Sequence, residues 1–117
     1  MSAADLAATA RELVAVGKGI LAADESTPTI KKRLESIEVE STEETRRAYR
    51  ELLFTTEGIG EHVSGVILYD ETLRQSSSQG VPFVKLLAEA GVMSGIKVDG
   101  GAKALALAPG EKGTEGL

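Results

Sequence analysis

The sequence predicts an α/β fold built on parallel strands, and three features predict it. Short, almost wholly apolar runs recur at Gly19-Ile20-Leu21-Ala22-Ala23, Val63 to Tyr69 and Ser94 to Val98. Segments with apolar residues at helical spacing lie before and between them. Glycine, proline and capping residues punctuate the boundaries. A strand hidden on both faces reads as a continuous apolar run, and strands separated by helices pair in parallel through crossovers.

Taken in order, Leu6, Ala10, Leu13 and Val14 share one helical face, and Gly17 stops that helix. The run 19–23 is the first strand, closed by Asp24-Glu25-Ser26. Thr27 is expected to cap the next helix, with Pro28 at its first position and Ile30, Leu34 and Ile37 along its face. Ser41-Thr42-Glu43-Glu44 has the S-x-x-E form of a capping box and opens a helix over about 42–54. Ala48, Tyr49, Leu52 and Leu53 make its apolar stripe, with Arg46, Arg47 and Arg50 on other faces. The second strand, 63–69, ends at Asp70-Glu71. Val81-Pro82 starts a helix bearing Phe83, Leu86, Leu87 and Ala90, and Gly91 ends it before the third strand. The stretch 100–117 carries no structural signal, as if cut between elements. Three strands leave two open edges, around Val66-Ile67-Leu68 or Ile20-Leu21 depending on strand order.

With 117 residues, 42% hydrophobic and 26% charged, the chain suits one soluble domain spanning 1–117 with no internal boundary. Aromatics are 3%, so the core must be aliphatic. A net charge of -5 argues against nucleic acid, while leaving room for a local cationic pocket. The absence of cysteine removes disulfides and thiolate metal sites. No apolar stretch approaches the roughly 20 residues of a membrane helix, and Met1-Ser2-Ala3-Ala4-Asp5 does not resemble a signal peptide. The expectation is a cytoplasmic protein without membrane partners.

Chemistry is expected after the strands, where the loops of parallel α/β folds converge. Asp24, Asp70 and the pair Lys97 and Asp99 stand there. A carboxylate beside an ammonium could move a proton and hold an anion. The plainer readings are a helix cap or solvated turn for the acids, a solvated face for Arg46 and a surface residue for His62. Gly17-Lys18-Gly19 precedes a strand instead of following it, and Gly110 to Gly116 matches neither phosphate-loop pattern.

Read together, Gly17 to Thr27, Glu43 to Phe54, Ser64 to Leu68 with Glu71-Thr72-Leu73, and Gly95 to Asp99 resemble the class I, Schiff-base-forming fructose-bisphosphate aldolases. Gly113 to Leu117 resembles the segment leading into the family's fourth strand. The resemblance implies an incomplete (β/α)8 barrel, of which this chain supplies the N-terminal three strands. It implies reversible cleavage of fructose 1,6-bisphosphate to two triose phosphates through a lysine imine, with no cofactor and no metal. By position Asp24 would be catalytic, and Lys97, Ser26, Thr29, Arg33 and Arg46 would bind substrate phosphate. The imine lysine would lie beyond Leu117, which implies an inactive fragment of an enzyme that is whole as a homo-oligomer. The alternative is a short, non-catalytic family member that binds sugar phosphates or partner chains.

Overall fold

The computed structural model describes residues 1–115. Its order is α1 (Ala3–Leu13), β1 (Gly19–Ala23), α2 (Thr27–Glu35), α3 (Glu43–Phe54), α4 (Ile59–His62), β2 (Val63–Leu68), α5 (Asp70–Leu73), α6 (Phe83–Glu89) and β3 (Met93–Ile96). A hairpin of β4 (Ala102–Ala104) and β5 (Lys112–Thr114) follows. The three long strands pair in parallel in the order β1-β2-β3, as the α/β pattern predicts.

Alternation along each strand divides the sheet into two faces. Ala23, Val66 and Leu68 turn toward the helices and join Phe54, Phe83, Leu87 and Val92 in the core. Phe54 on α3 and Phe83 on α6 meet edge to face, with ring centroids 5.1 Å apart, so two of the few aromatics anchor an otherwise aliphatic core. Ile20, Gly65, Ile67 and Gly95 occupy the other face, where a cavity of about 250 Å³ opens beneath α1. Leu13 of α1 closes over Gly65 so tightly that a Cβ there would fall 2.6 Å from Leu13 Cδ2. The Ser64 hydroxyl donates to the Leu13 carbonyl at 2.6 Å and ties α1 to the start of β2.

Several boundaries differ from the sequence reading, each for a local reason. Helix α1 starts at Ala3, where Ser2 and Asp5 form a reciprocal capping box that the apolar face from Leu6 does not announce. Its expected stripe is mostly exposed, since a three-stranded sheet is too narrow to cover Leu6 and Val14. Ser26, not Thr27, is the N-cap of α2. Ile37 is exposed because α2 ends at Glu35 and Glu38 takes a left-handed conformation. The box opening α3 runs from Thr42 to Thr45: Thr45 N donates to Thr42 Oγ1 at 3.1 Å and Thr42 N to Thr45 Oγ1 at 2.8 Å. Thr45 holds that place because it also donates to the Glu40 carbonyl at 2.7 Å.

The rotation of α3 is the largest correction. Arg50 and Phe54 face inward, while Ala48 and Leu52 are exposed. By contrast α6 follows its predicted stripe, and Gly91, at φ +77°, turns the chain into β3. The stretch from residue 100 is not featureless, since its β4–β5 hairpin closes on its own backbone. Gly116 and Leu117, the end of the segment expected to lead into a fourth strand, lie outside the described residues.

Candidate functional site

The carboxyl ends of the three strands bring the polar residues level. In the register, Leu68 of β2 lies between Ala23 of β1 and Ile96 of β3. The next residue of each outer strand is therefore Asp24 or Lys97, on the face opposite the helical core. The ladder continues one step, with Lys97 N donating to the Leu68 carbonyl at 2.9 Å. Lys97 Nζ lies 3.6 Å from Asp24 Oδ2 and donates to Asp99 Oδ2 at 3.2 Å. The Gly101 amide donates to the other Asp99 oxygen at 2.9 Å and holds that carboxylate in place.

This is a half-buried cluster of two carboxylates about one ammonium. The hydrogen bond to Asp99 is the main cause that raises the Lys97 pKa, with the charge of Asp24 adding to it. The Lys97 bond and the Gly101 amide lower that of Asp99. Lys97 is thus held as a cation, which suits an electrostatic partner and not an imine-forming nucleophile, since that must be a neutral amine.

The Ser26 and Thr29 hydroxyls stand 3.2 Å apart at the start of α2. Ser26 makes no side-chain capping bond, so it does not occupy the Thr27 and Thr29 amides of that first turn, and Pro28 between them has none. Arg33 is exposed and donates to Glu25 Oε2 at 2.6 Å. Arg46 grips Glu71 through two bonds of 2.7 and 2.9 Å and reaches Ser41 at 3.2 Å. Their mutual pairing lowers the Glu71 pKa and raises that of Arg46. The structure therefore groups Asp24 with Lys97 and Ser26 with Thr29, while each arginine is held by its own carboxylate. Asp70 makes an exposed pair with Arg74, and His62 is exposed, as the plainer readings have them.

One residue that the sequence reading set aside lies beneath the cluster. Arg50 is 1% exposed and donates to the carbonyls of Glu25, at 2.9 Å, and Ala23, at 3.4 Å. Its guanidinium stands 3.8 Å from the Glu25 carboxylate. Burial lowers its pKa, opposed by the charge of Glu25. The signal was the spacing of Arg46, Arg50 and Phe54 at i, i+4 and i+8, which marks one helical face. Among the described residues no group of three or more histidine, cysteine, aspartate or glutamate side chains is arranged for a metal ion. No helix among them is long and apolar enough to cross a membrane.

A family model described as fructose-bisphosphate aldolase class-I matches residues 5–117. A Xanthomonas campestris protein described as a probable fructose-bisphosphate aldolase class 1 is 57% identical over 117 residues, which are 100% of this chain and 35% of that protein. Fructose-bisphosphate aldolase 1 of Toxoplasma gondii is 57% identical over 115 residues, 98% of this chain and 32% of the relative. Among solved structures, the fold is similar to fructose-bisphosphate aldolase from Plasmodium falciparum, solved with TRAP and a small-molecule inhibitor. That match has a TM-score of 0.89 and 52% identity, and covers 97% of this chain and 33% of the other. The chain spans about a third of the length of these relatives.

Proposed function

The chain belongs to the class I fructose-bisphosphate aldolase family, and on that premise we propose that it supplies Asp24 and Lys97 to the reversible cleavage of fructose 1,6-bisphosphate. The products are dihydroxyacetone phosphate and glyceraldehyde 3-phosphate. The observation that carries this reading is the 3.6 Å approach of Asp24 to Lys97 at the carboxyl ends of parallel strands, where barrel chemistry gathers. In the family the imine forms on a lysine of the sixth strand, and the resulting iminium draws electrons from the bond that breaks. Asp24 acts beside it in proton transfer and cleavage.

Lys97, Ser26 and Thr29 form a phosphate subsite on this reading. The Thr27 and Thr29 amides at the start of α2 and the two hydroxyls offer donors, and Lys97 offers a point charge. Lys97 already serves two carboxylates, which leaves one of the three ammonium donors for a phosphate. Arg33 and Arg46 stand in a second rank: Arg33 spends one donor on Glu25 and keeps others, whereas Arg46 has its fork committed to Glu71 and Ser41.

The test uses a complete barrel, with this segment continued by its own gene or joined to the rest of the Xanthomonas relative. Borohydride added with substrate is expected to inactivate it by reducing the imine, whereas a chelator leaves cleavage intact. Loss of activity to the chelator, together with indifference to borohydride, would overturn the proposal. The 117-residue chain under the same treatment is expected to trap no substrate.

A further inference from the structure

We propose that Arg50 is a positioning residue for Asp24, its buried guanidinium holding the peptide carbonyls of Ala23 and Glu25 at the two ends of the Asp24-Glu25 segment. The inference rests on the catalytic reading of Asp24 and deepens it.

The problem that Arg50 solves lies at the end of β1. The pairing of Ala23 with Leu68 is the last contact of the β1–β2 ladder, and α2 does not begin until Thr27. Asp24 therefore stands one step past the last ladder contact, where strand alternation gives its face but no pairing fixes the direction of its carboxylate. That direction follows from φ and ψ of Asp24, and these are set by the peptide planes on either side. Arg50 holds the plane before Asp24 through the Ala23 oxygen, by Nε, and by Nη2 it holds the Glu25 oxygen, one plane beyond the Asp24 carbonyl, so the fork ties together the two ends of the Asp24-Glu25 segment.

The residue type suits the task. A guanidinium is a rigid planar fork, so two acceptors held by one fork are held relative to each other. An ammonium is a point charge on a flexible stem and imposes no such relation. Burying a cation for packing alone is a costly choice, since Arg50 is 1% exposed and a hydrophobic residue would fill the same space. Phe54, one turn further along α3, does fill the core in that way. The Glu25 carboxylate, 3.8 Å from Nη2, partly offsets the cost and is itself held from the other side by Arg33. Among the described residues Arg50 bonds these two carbonyls, pairs with Glu25 and stands 5.8 Å from the centre of the Tyr49 ring, so its influence on the proposed chemistry passes through the Asp24-Glu25 segment.

A double-mutant cycle in the complete barrel separates positioning from bulk structure. Misplacing a reacting group by about 1 Å costs on the order of 10²-fold in rate. Arg50→Lys is accordingly expected to lower kcat by about 10- to 100-fold with KM within about two-fold of the parent. Introduced into Asp24→Asn, the same change is expected to cost no more than about two-fold further, because the group that it positions is already disabled. Arg50→Gln, a neutral donor that serves one carbonyl, is expected to behave likewise and stands in if the lysine variant does not fold. Losses that multiply in the double variant, normal turnover in Arg50→Lys beside a crippled Asp24→Asn, or failure of both Arg50 variants to fold would overturn the inference. Full turnover in Asp24→Asn would instead overturn the catalytic reading on which it rests.

Discussion

Asp24 and Lys97 illustrate how little a residue's type says before its neighbours are known. Replacing Asp24 by Asn keeps the shape and removes the charge. In a complete barrel, turnover is expected to fall by about 10²–10⁴-fold, the usual contribution of a placed acid-base group, with KM much less altered. Steady-state kinetics check this, and unchanged turnover would reduce Asp24 to a turn residue. Lys97→Ala is expected to act mainly on KM, because a contact made to phosphate throughout the reaction is uniform binding. The same kinetics read it, and a loss confined to kcat would instead assign Lys97 to Asp24 alone. The pair Arg46 and Glu71 gives a pH signature. Arg46 holds the Glu71 pKa below its ordinary 4.5, so its stabilisation is complete above that value and is lost as pH falls through the lowered one. Glu71→Gln is expected to cost about 1–2 kcal/mol at neutral pH, between exposed and buried ion pairs. That difference should shrink below about pH 4, as denaturant titrations of parent and variant would measure.

Helix α3 owes its extent to local sequence and its rotation to distant partners. Its existence and length were legible, because a capping signal followed by twelve residues, most of them good helix formers, leaves few alternatives. Its rotation was not. Hydrophobic periodicity favours a face through Ala48, Tyr49, Leu52 and Leu53, of which Leu53 packs against the core, but the inward face runs through Arg46, Arg50 and Phe54. The acceptors that overrule the apolar stripe, Glu71 and the carbonyls of Ala23 and Glu25, come from the ends of two strands distant in sequence. The cap offers a test with two clear arms. Thr42→Ala should cost about 1 kcal/mol, because it strands the Thr45 amide. Ser41→Ala should cost much less, since the Ser41 hydroxyl only meets Arg46. Thermal denaturation of the two variants distinguishes them, and the reverse order would restore the S-x-x-E box read from the sequence.

For the whole molecule, the sheet order decides what is exposed. With β2 in the middle, Val66-Ile67-Leu68 is paired on both sides, which leaves β1 and β3 as the edges. The inner face is open as well: Ile20 is 49% exposed, and α1 buries none of its own residues. Ordering a residue costs roughly 1.5 kcal/mol, against about 25 cal/mol per Å² of apolar burial, so an arc with one face in water gains little from folding. The 117-residue chain alone is therefore expected to be partly folded or to aggregate through its edges. Far-ultraviolet circular dichroism on heating tests this. A sharp, reversible transition by a monomer would show a self-sufficient domain.

The sequence by itself determined the succession of the three parallel strands and the four longer helices, the parallel pairing and the polar residues that end each strand. Those properties are local: an apolar run, a cap and a glycine act on their own few residues. The motif blocks likewise carried the family, because several short stretches in one order are specific even where no single one is. Only the tertiary structure decided that Asp24 and Lys97 stand level, that Asp99 shares the lysine, and that Arg50 lies beneath them. Each depends on register between strands or on the rotation of a helix. Both are settled by partners tens of residues away, and no local pattern records their distance.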